Sequence, residues 1–117
     1  MKLTGKCKEE FENWFIENYE NYGFVSIWSK LANHYPQSTD FYDLPESMQI
    51  GVYEDYFDSV GVIIEIEADY FNGWNFMGFV TTRKGDYKKT IDYKNRLKVR
   101  VEAIEKANEI RNEHLNK

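Results

Sequence analysis

The apolar positions of the chain follow helical spacing in three stretches and strand spacing in a fourth. Residues 5–20 place their apolar side chains on one stripe, which predicts an amphipathic helix with Thr4 as its N-cap and Gly23 as its stop signal. Residues 45–60 predict a second helix from the same periodicity. A long third helix is predicted from about Tyr93 to the end of the chain.

The second predicted helix carries sequence signals at both ends and a weak point inside. Pro45 stands near N1, where a missing N–H costs nothing, and Gly61 suits the left-handed C′ position. Gly51 falls in the helix interior, where glycine costs up to about 1 kcal/mol relative to alanine. This glycine either lets another element approach closely or is simply tolerated.

Residues 24–42 allow two interpretations. Apolar residues at helical spacing, with Pro36 behind them, favour a short helix. The β-branched and aromatic start of the segment is also compatible with a strand. We expect the helix.

Residues 62–82 carry the clearest pattern, two alternating segments around Asn72 and Gly73. This dipeptide is the strongest short signal for a β-hairpin with a two-residue type I′ loop. The pairs that such a loop predicts are Phe71 with Trp74, Asp69 with Phe76, Glu67 with Gly78, and Glu65 with Val80. The face predicted to meet the core then holds Val62, Ile64, Ile66, Ala68, Tyr70, Met77, Phe79 and Thr81. The opposite face holds Ile63, Glu65, Glu67, Asp69, Phe71, Trp74, Phe76, Gly78 and Val80.

Residues 83–93 begin with a Lys-Gly-Asp turn signal and continue with YKKTIDY, which is compatible with a short third strand. No internal repeat, low-complexity tract or linker interrupts the 117 residues. The sequence therefore predicts one compact α+β domain over residues 1–117. In it, an antiparallel hairpin, extended to three strands if the third one forms, packs against three or four helices.

Charge divides the chain into an acidic front and a basic rear. Residues 1–80 carry four lysines against fourteen acids, a net charge of −10, and residues 81–117 carry eleven basic residues against six acids, a net charge of +5. Either the two parts attract each other within the domain, or one of them contacts a charged partner.

Aromatic residues make up 17% of the chain, so some must lie at the surface, where Tyr and Trp often form interfaces.

Residues suited to catalysis or metal binding are few. Cys7 is the only cysteine, and its place on an apolar stripe predicts a buried thiol rather than a nucleophile paired with His34. His114 falls in a terminus expected to fray, and one Cys with two distant His excludes a closed zinc site. No Gly-rich phosphate-binding motif is present, so no cofactor is expected. The chain shows neither a secretory leader nor an apolar run of membrane length, which predicts a cytoplasmic protein without a membrane partner.

Three stretches resemble a group of small proteins from phages and prophages of Bacteroidetes: KCKEEFENW (6–14), LPESMQIGVYEDYFDSVG (44–61) and EAIEKANEIRNE (102–113). The order of two helices, a hairpin and a final helix is similar over about half of the chain. Residues 83–95 depart from the group, whose members often run a short Thr-Arg-x-Glu-Ala-Arg segment into the last helix. The group has no assigned activity, so no residue inherits a role. The resemblance implies a small phage-encoded accessory protein in the cytoplasm of a bacterial host, a kind of protein that often binds host or defence machinery, including as an anti-CRISPR inhibitor.

The outward face of the predicted hairpin is the first candidate site. It combines alternate carboxylates with aromatic side chains: Glu65, Glu67, Asp69, Phe71, Trp74 and Phe76. Aromatic anchors supply buried area at an interface, and carboxylates steer a basic partner. If a helix covers Trp74 and Phe76 instead, the acids lie at the margin of a second, smaller core. A metal site has less support, because alternate residues of a strand stand roughly 6.5–7 Å apart, which is wide for one ion.

The basic stretch 83–100 is the second candidate site. Eight positive charges are interleaved there with tyrosines, an arrangement that holds single-stranded nucleic acid through phosphate contacts and stacking. The candidate contacts are Arg83, Lys84, Tyr87, Lys88, Lys89, Lys94 and Arg96. The acidic balance of the whole chain argues against this function.

We therefore expect a non-enzymatic binding protein. The leading hypothesis is a phage-derived inhibitor or adaptor that contacts a host or defence-system protein through the acidic-aromatic surface. The alternative is a small nucleic-acid-binding accessory protein that uses residues 83–100. A metal-dependent enzyme is the third hypothesis.

Overall fold

Three helices and three strands occupy the part of the chain described by a computed structural model, which comprises residues 2–19, 41–69, 75–93 and 95–117. The helices are α1 (Gly5–Asn18), α2 (Glu46–Ser59) and α3 (Arg96–Leu115). The strands are β1 (Val62–Asp69), β2 (Asn75–Thr82) and β3 (Tyr87–Tyr93). The predicted α+β fold, its three helices and the third strand are confirmed. The helix predicted within residues 24–42, with Pro36 as its end, lies outside the described residues.

The strands form one antiparallel sheet in the order β1-β2-β3. α3 packs across all three strands, α2 packs beside β1, and α1 contacts the two other helices. Val62 and Val80 are fully buried on the helix side of the sheet, and Ile64 and Ile66 pack against the same core. The helices therefore cover one side of the sheet.

The pairing of β1 with β2 differs by one residue from the predicted pairing. Glu65 lies opposite Phe79 and Glu67 lies opposite Met77, so the predicted partners of both glutamates are wrong. The last described pair joins Asp69 to Asn75, so the predicted pairing of Asp69 with Phe76 is wrong as well. The Phe71–Trp74 pair itself falls outside the described residues.

A slip of one residue moves every side chain of β2 to the other side of the sheet. Val80, Gly78 and Phe76 lie on the helix side, and Met77 and Phe79 lie on the opposite side, which is the reverse of the prediction. The cause is the composition of β2. Its NFMGFVTT segment is apolar on both faces. The apolar pattern is therefore compatible with either register and does not test the register that the Asn-Gly dipeptide suggests.

The core between the helices and the sheet is mainly aromatic. Its largest fully buried rings are Phe11, Phe15, Phe41, Tyr53, Tyr56 and Phe57. Cys7 is buried beside them, as predicted, with its Sγ 3.7 Å from the Tyr56 hydroxyl. Burial raises the pKa of the Cys7 thiol to about 11, so this sulfur stays protonated and poorly nucleophilic at neutral pH.

The first turn of α1 is capped by α3. Thr4 occupies the predicted N-cap position, but its own side chain makes no capping hydrogen bond. Instead, Asn112 Oδ1 accepts a hydrogen bond from the Cys7 N–H at 2.9 Å, and Asn112 Nδ2 donates to the Thr4 carbonyl oxygen at 2.9 Å. Asn108 Oδ1 accepts from the Thr4 N–H at 3.1 Å. Two of the N–H groups that a helix start leaves without an intrahelical partner, those of Thr4 and Cys7, are thereby satisfied by another helix.

Two glycine-to-alanine substitutions are expected to act in opposite directions. Gly5, the first residue of α1, has φ of +61°, and a Cβ there would lie 2.8 Å from Asn112 Oδ1. Gly5→Ala is therefore expected to lower the free energy of unfolding by about 1–2 kcal/mol, from backbone strain alone. Gly51 lies inside α2, and a Cβ added there would have no described atom within 4 Å, so no described element approaches this glycine closely.

Gly51→Ala is the matched control, expected to raise the free energy of unfolding by up to about 1 kcal/mol through helix propensity. Urea unfolding followed by circular dichroism measures both variants. A Gly5→Ala variant that is as stable as the wild type, or more stable, would contradict the assignment of Gly5 to a strained cap.

Candidate protein interface

The side of the sheet away from the described helices forms the candidate site, and we call it the outer face. It comprises Ile63, Glu65, Glu67, Met77, Phe79, Thr81, Tyr87 and Lys89. The three residues of β1 on this face are exposed, and Tyr87 and Lys89 on β3 are exposed as well. Ile63 is 38% exposed and Tyr87 is 56% exposed, values that are high for large apolar or aromatic side chains in a folded domain.

Two rows of side chains cross the strands on the outer face. In the first row Phe79 lies between Glu65 on β1 and Lys89 on β3. The second row joins Ile63, Thr81 and Tyr87. The rings of Phe79 and Tyr87 meet at a centroid distance of 6.1 Å, and Lys89 Nζ lies 6.0 Å from the Phe79 centroid. Phe79 thus forms the centre of an apolar patch with a carboxylate on one flank and an ammonium group on the other.

The outer face is electrically polarised from one edge to the other. Glu65 and Glu67 project from β1, and neither forms an ion pair with any described residue. Lys89 projects from β3, two strands away. Uncompensated carboxylates at an exposed position attract a cationic partner without a large desolvation cost.

The structure places some of the predicted site residues together on the outer face and others elsewhere. Glu65 and Glu67 share an exposed face, as the strand periodicity indicated. Phe76 does not lie with them, because the register places it on the helix side, half-buried, with the Arg96 guanidinium 5.3 Å from its ring centroid. Asp69 is the last residue of β1. Phe71 and Trp74 fall outside the described residues.

Sequence reasoning missed the aromatic and sulfur-containing members of the outer face. Met77 and Phe79 were assigned to the core, and Tyr87 was grouped with the basic stretch. The one available signal is that β2 is apolar on both of its faces. When helices cover only one side of a sheet, the apolar side chains on the other side are left exposed or are covered by another molecule.

The basic stretch does not form a single surface among the described residues. Arg83 and Lys84 lie in the turn between β2 and β3, while Arg96 begins α3 at the opposite end of β3. Lys88 lies opposite Val80 and Lys89 opposite Phe79, so these neighbours project to different sides of the sheet. Lys94 falls outside the described residues. Among the predicted nucleic-acid contacts that the structure describes, only Tyr87 and Lys89 reach the outer face.

The end of α3 is anchored to the turn between β2 and β3. His114 is 11% exposed, and its Nε2 lies 2.7 Å from Asp86 Oδ2. The same carboxylate oxygen accepts a hydrogen bond from Thr82 Oγ1 at 3.0 Å. The hydrogen bond to His114 is the main reason why the pKa of Asp86 lies below its ordinary value. The expectation that His114 lies in a frayed terminus is therefore wrong.

Neither a metal-binding cluster nor a helix able to span a membrane occurs in the described ranges 2–19, 41–69, 75–93 and 95–117. Within them, no group of three or more His, Cys, Asp or Glu side chains is arranged to hold a metal ion. None of the helices in these ranges has both the length and the apolar character needed to cross a bilayer. Comparison of the chain with protein families, curated proteins and solved structures finds no match.

Proposed function

We propose that this protein acts by binding another protein through the outer face of its sheet, as an inhibitor or adaptor without catalytic activity of its own. The observation that carries the proposal is the patch around Phe79, which none of the described helices covers. An aromatic centre surrounded by charged residues is the usual anatomy of a protein interface. The flanking residues Ile63 and Tyr87 enlarge the apolar area that a partner would bury.

The charges of β1 indicate the chemistry of the partner. Glu65 and Glu67 have no described cation beside them, so a partner that brings Lys or Arg gains attraction at both positions. The resemblance to phage accessory proteins adds the class of partner, a host or defence-system protein with a basic surface.

Nucleic-acid binding has less support from the same geometry. On the outer face Tyr87 and Lys89 lie within one sheet of Glu65 and Glu67, which repel phosphate groups. Of the other described candidates, Lys88 projects to the other side of the sheet, and Arg83, Lys84 and Arg96 lie beyond the two ends of β3. A strand of nucleic acid would therefore find no continuous basic track across the described surface.

Affinity capture with charge-reversed baits tests the proposal. The tagged protein is used to capture partners from bacterial host lysate, and the same capture is repeated with Glu65→Lys/Glu67→Lys. We expect a protein retained by the wild-type bait to be lost, by at least about tenfold, because two attractive pairs become repulsive. Both positions are exposed, so the variant is expected to fold, which circular dichroism checks.

Glu9→Lys/Glu17→Lys is the matched control. Both residues are exposed on α1, which packs against the two other described helices, and the substitution changes the net charge by the same amount. Partners that depend on the outer face are retained by this control bait. Equal loss with both baits indicates a general charge effect, and no loss with Glu65→Lys/Glu67→Lys contradicts the proposed function.

A further inference from the structure

β1 is an edge strand whose outer side is unpaired among the described residues. All eight of its residues pair with β2 in one uninterrupted antiparallel register. In such a strand every second residue directs its N–H and C=O away from the sheet, towards any chain that lies alongside. β1 therefore presents a straight row of hydrogen-bonding groups next to the outer face.

The two edges of the sheet are protected to different degrees. β3 contains a register irregularity opposite the segment between Phe76 and Gly78, and it exposes two neighbouring lysines, Lys88 and Lys89. Bulges and edge lysines are common devices against the addition of another strand. β1 has no register shift, no proline and no lysine. Among the described residues, the edge of β1 thus carries fewer of these protective devices than the edge of β3.

The charges on β1 select what pairs with this edge. Directly opposed side chains of neighbouring strands lie about 4.5–5.5 Å apart, so opposite charges stabilise a pair and like charges destabilise it. Antiparallel pairing of two β1 strands in a centred register sets Glu65 of one copy against Glu65 or Glu67 of the other. The same two glutamates favour a strand with Lys or Arg at alternate positions.

We propose that the edge of β1 binds an extended segment of the partner as a fourth strand. The segment carries Lys or Arg opposite Glu65 and Glu67 and an apolar residue opposite Ile63. Main-chain hydrogen bonds give such complexes their affinity, and alternate side chains give them their specificity. The inference rests on the proposed function and deepens it, because side chains of the added strand extend the outer face by one row.

A synthetic peptide tests strand addition directly. Acetyl-Val-Thr-Lys-Thr-Lys-Thr-Val-amide is palindromic, so it sets lysines opposite both glutamates in the parallel and in the antiparallel direction. Fluorescence anisotropy of the labelled peptide is expected to show saturable binding to the whole chain. Two companion peptides carry N-methyl groups on alternate residues, one on the odd-numbered residues and the other on the even-numbered residues, and we call these the two methylated phases. In a bound strand one of these sets directs its N–H groups towards β1 and the other directs them away. We expect one phase to bind like the parent and the other to weaken by at least about tenfold, through the loss of its hydrogen bonds to β1.

Charge exchange supplies the second readout. Glu65→Lys/Glu67→Lys is expected to lose the lysine peptide and to bind acetyl-Val-Thr-Glu-Thr-Glu-Thr-Val-amide, while Glu9→Lys/Glu17→Lys binds the lysine peptide like the wild type. Equal affinity for both methylated peptides would mean that the peptide binds through charge attraction alone, and this result would overturn strand addition. The absence of saturable binding would overturn it as well.

The peptide and capture experiments fail independently. If the protein partner is captured through the outer face but the peptide does not bind, strand addition is contradicted and the proposed function is supported. If only one of the two methylated peptides is weakened, as expected, but capture does not change with Glu65→Lys/Glu67→Lys, the edge of β1 is a binding site and the proposed function is contradicted.

Discussion

Truncation of Phe11 to alanine is expected to lower the free energy of unfolding by about 3–5 kcal/mol, a large part of what a domain of this size possesses. The Phe11 ring is fully buried. Its centroid lies 4.8 Å from those of Phe41 and Tyr53 and 5.3 Å from that of Tyr56. Alanine would leave a cavity where α1 meets α2 and Phe41, and close-packed rings collapse only partly into such a space.

Ile16→Ala is the control on the same helix, because Ile16 is 38% exposed and loses little packing. We expect it to cost less than about 1 kcal/mol. Urea unfolding of both variants by circular dichroism makes the comparison, and Phe11→Leu keeps the measurement accessible if Phe11→Ala does not fold. A cost for Phe11→Ala no greater than that for Ile16→Ala would show that Phe11 is not the centre of the aromatic core.

Helix positions were predictable because their signals are local. α1 was expected at residues 5–20 and extends from Gly5 to Asn18, and α2 was expected at residues 45–60 and extends from Glu46 to Ser59. Gly61 has φ of +79°, the left-handed conformation expected just beyond α2. Periodicity places the buried face of a helix, and the terminating residues act within one turn of its end.

Strand register was not predictable from the same kind of signal. The Asn-Gly dipeptide indicated a two-residue loop, but β2 carries apolar side chains on both faces, so either register buries an apolar set. The two glutamates of the candidate site were placed on the exposed side because β1 alternates clearly. The aromatic neighbours were assigned wrongly, because they belong to the strand that does not alternate.

Contacts between distant segments carried no sequence signal at all. Asn112 caps α1, and His114 pairs with Asp86 across 28 positions of the chain. Asparagine and histidine near the end of a charged helix look like solvated residues, since exposed polar residues are the normal case there. Only the packing of α3 against α1 and the sheet shows that these side chains hold the fold together.

Glu10→Gln is expected to destabilise the protein at neutral pH and to lose this effect in acid. Arg111 Nε and Nη2 donate to the two oxygens of Glu10, each at 2.8 Å, and the Tyr56 hydroxyl donates to Oε1 at 2.7 Å. This cluster joins the three described helices. Hydrogen bonds to charged groups are each worth about 1.5–3 kcal/mol when they are shielded, so we expect Glu10→Gln to cost about 2–3 kcal/mol at pH 7.

The pH dependence follows from the direction of the pKa shift. Burial by itself raises the pKa of Glu10, but the hydrogen bonds from Arg111 and Tyr56 outweigh it and hold the pKa below its ordinary value. A carboxyl group with a depressed pKa in the folded state stabilises the protein above the unfolded pKa of about 4.3, and this contribution is lost as the pH falls through the folded value. The difference between wild type and Glu10→Gln is therefore expected to shrink between pH 5 and the acid limit of folding.

Urea unfolding at a series of pH values measures this difference, with Glu17→Gln as the matched control on α1. Glu17 is exposed, so its substitution is expected to change the free energy of unfolding by less than about 0.5 kcal/mol throughout the series. Arg111→Met should reproduce the loss at neutral pH, because it leaves the Glu10 carboxylate half-buried without its cation. A cost of Glu10→Gln that stays constant as the pH falls would mean that Glu10 acts through packing and not through its charge.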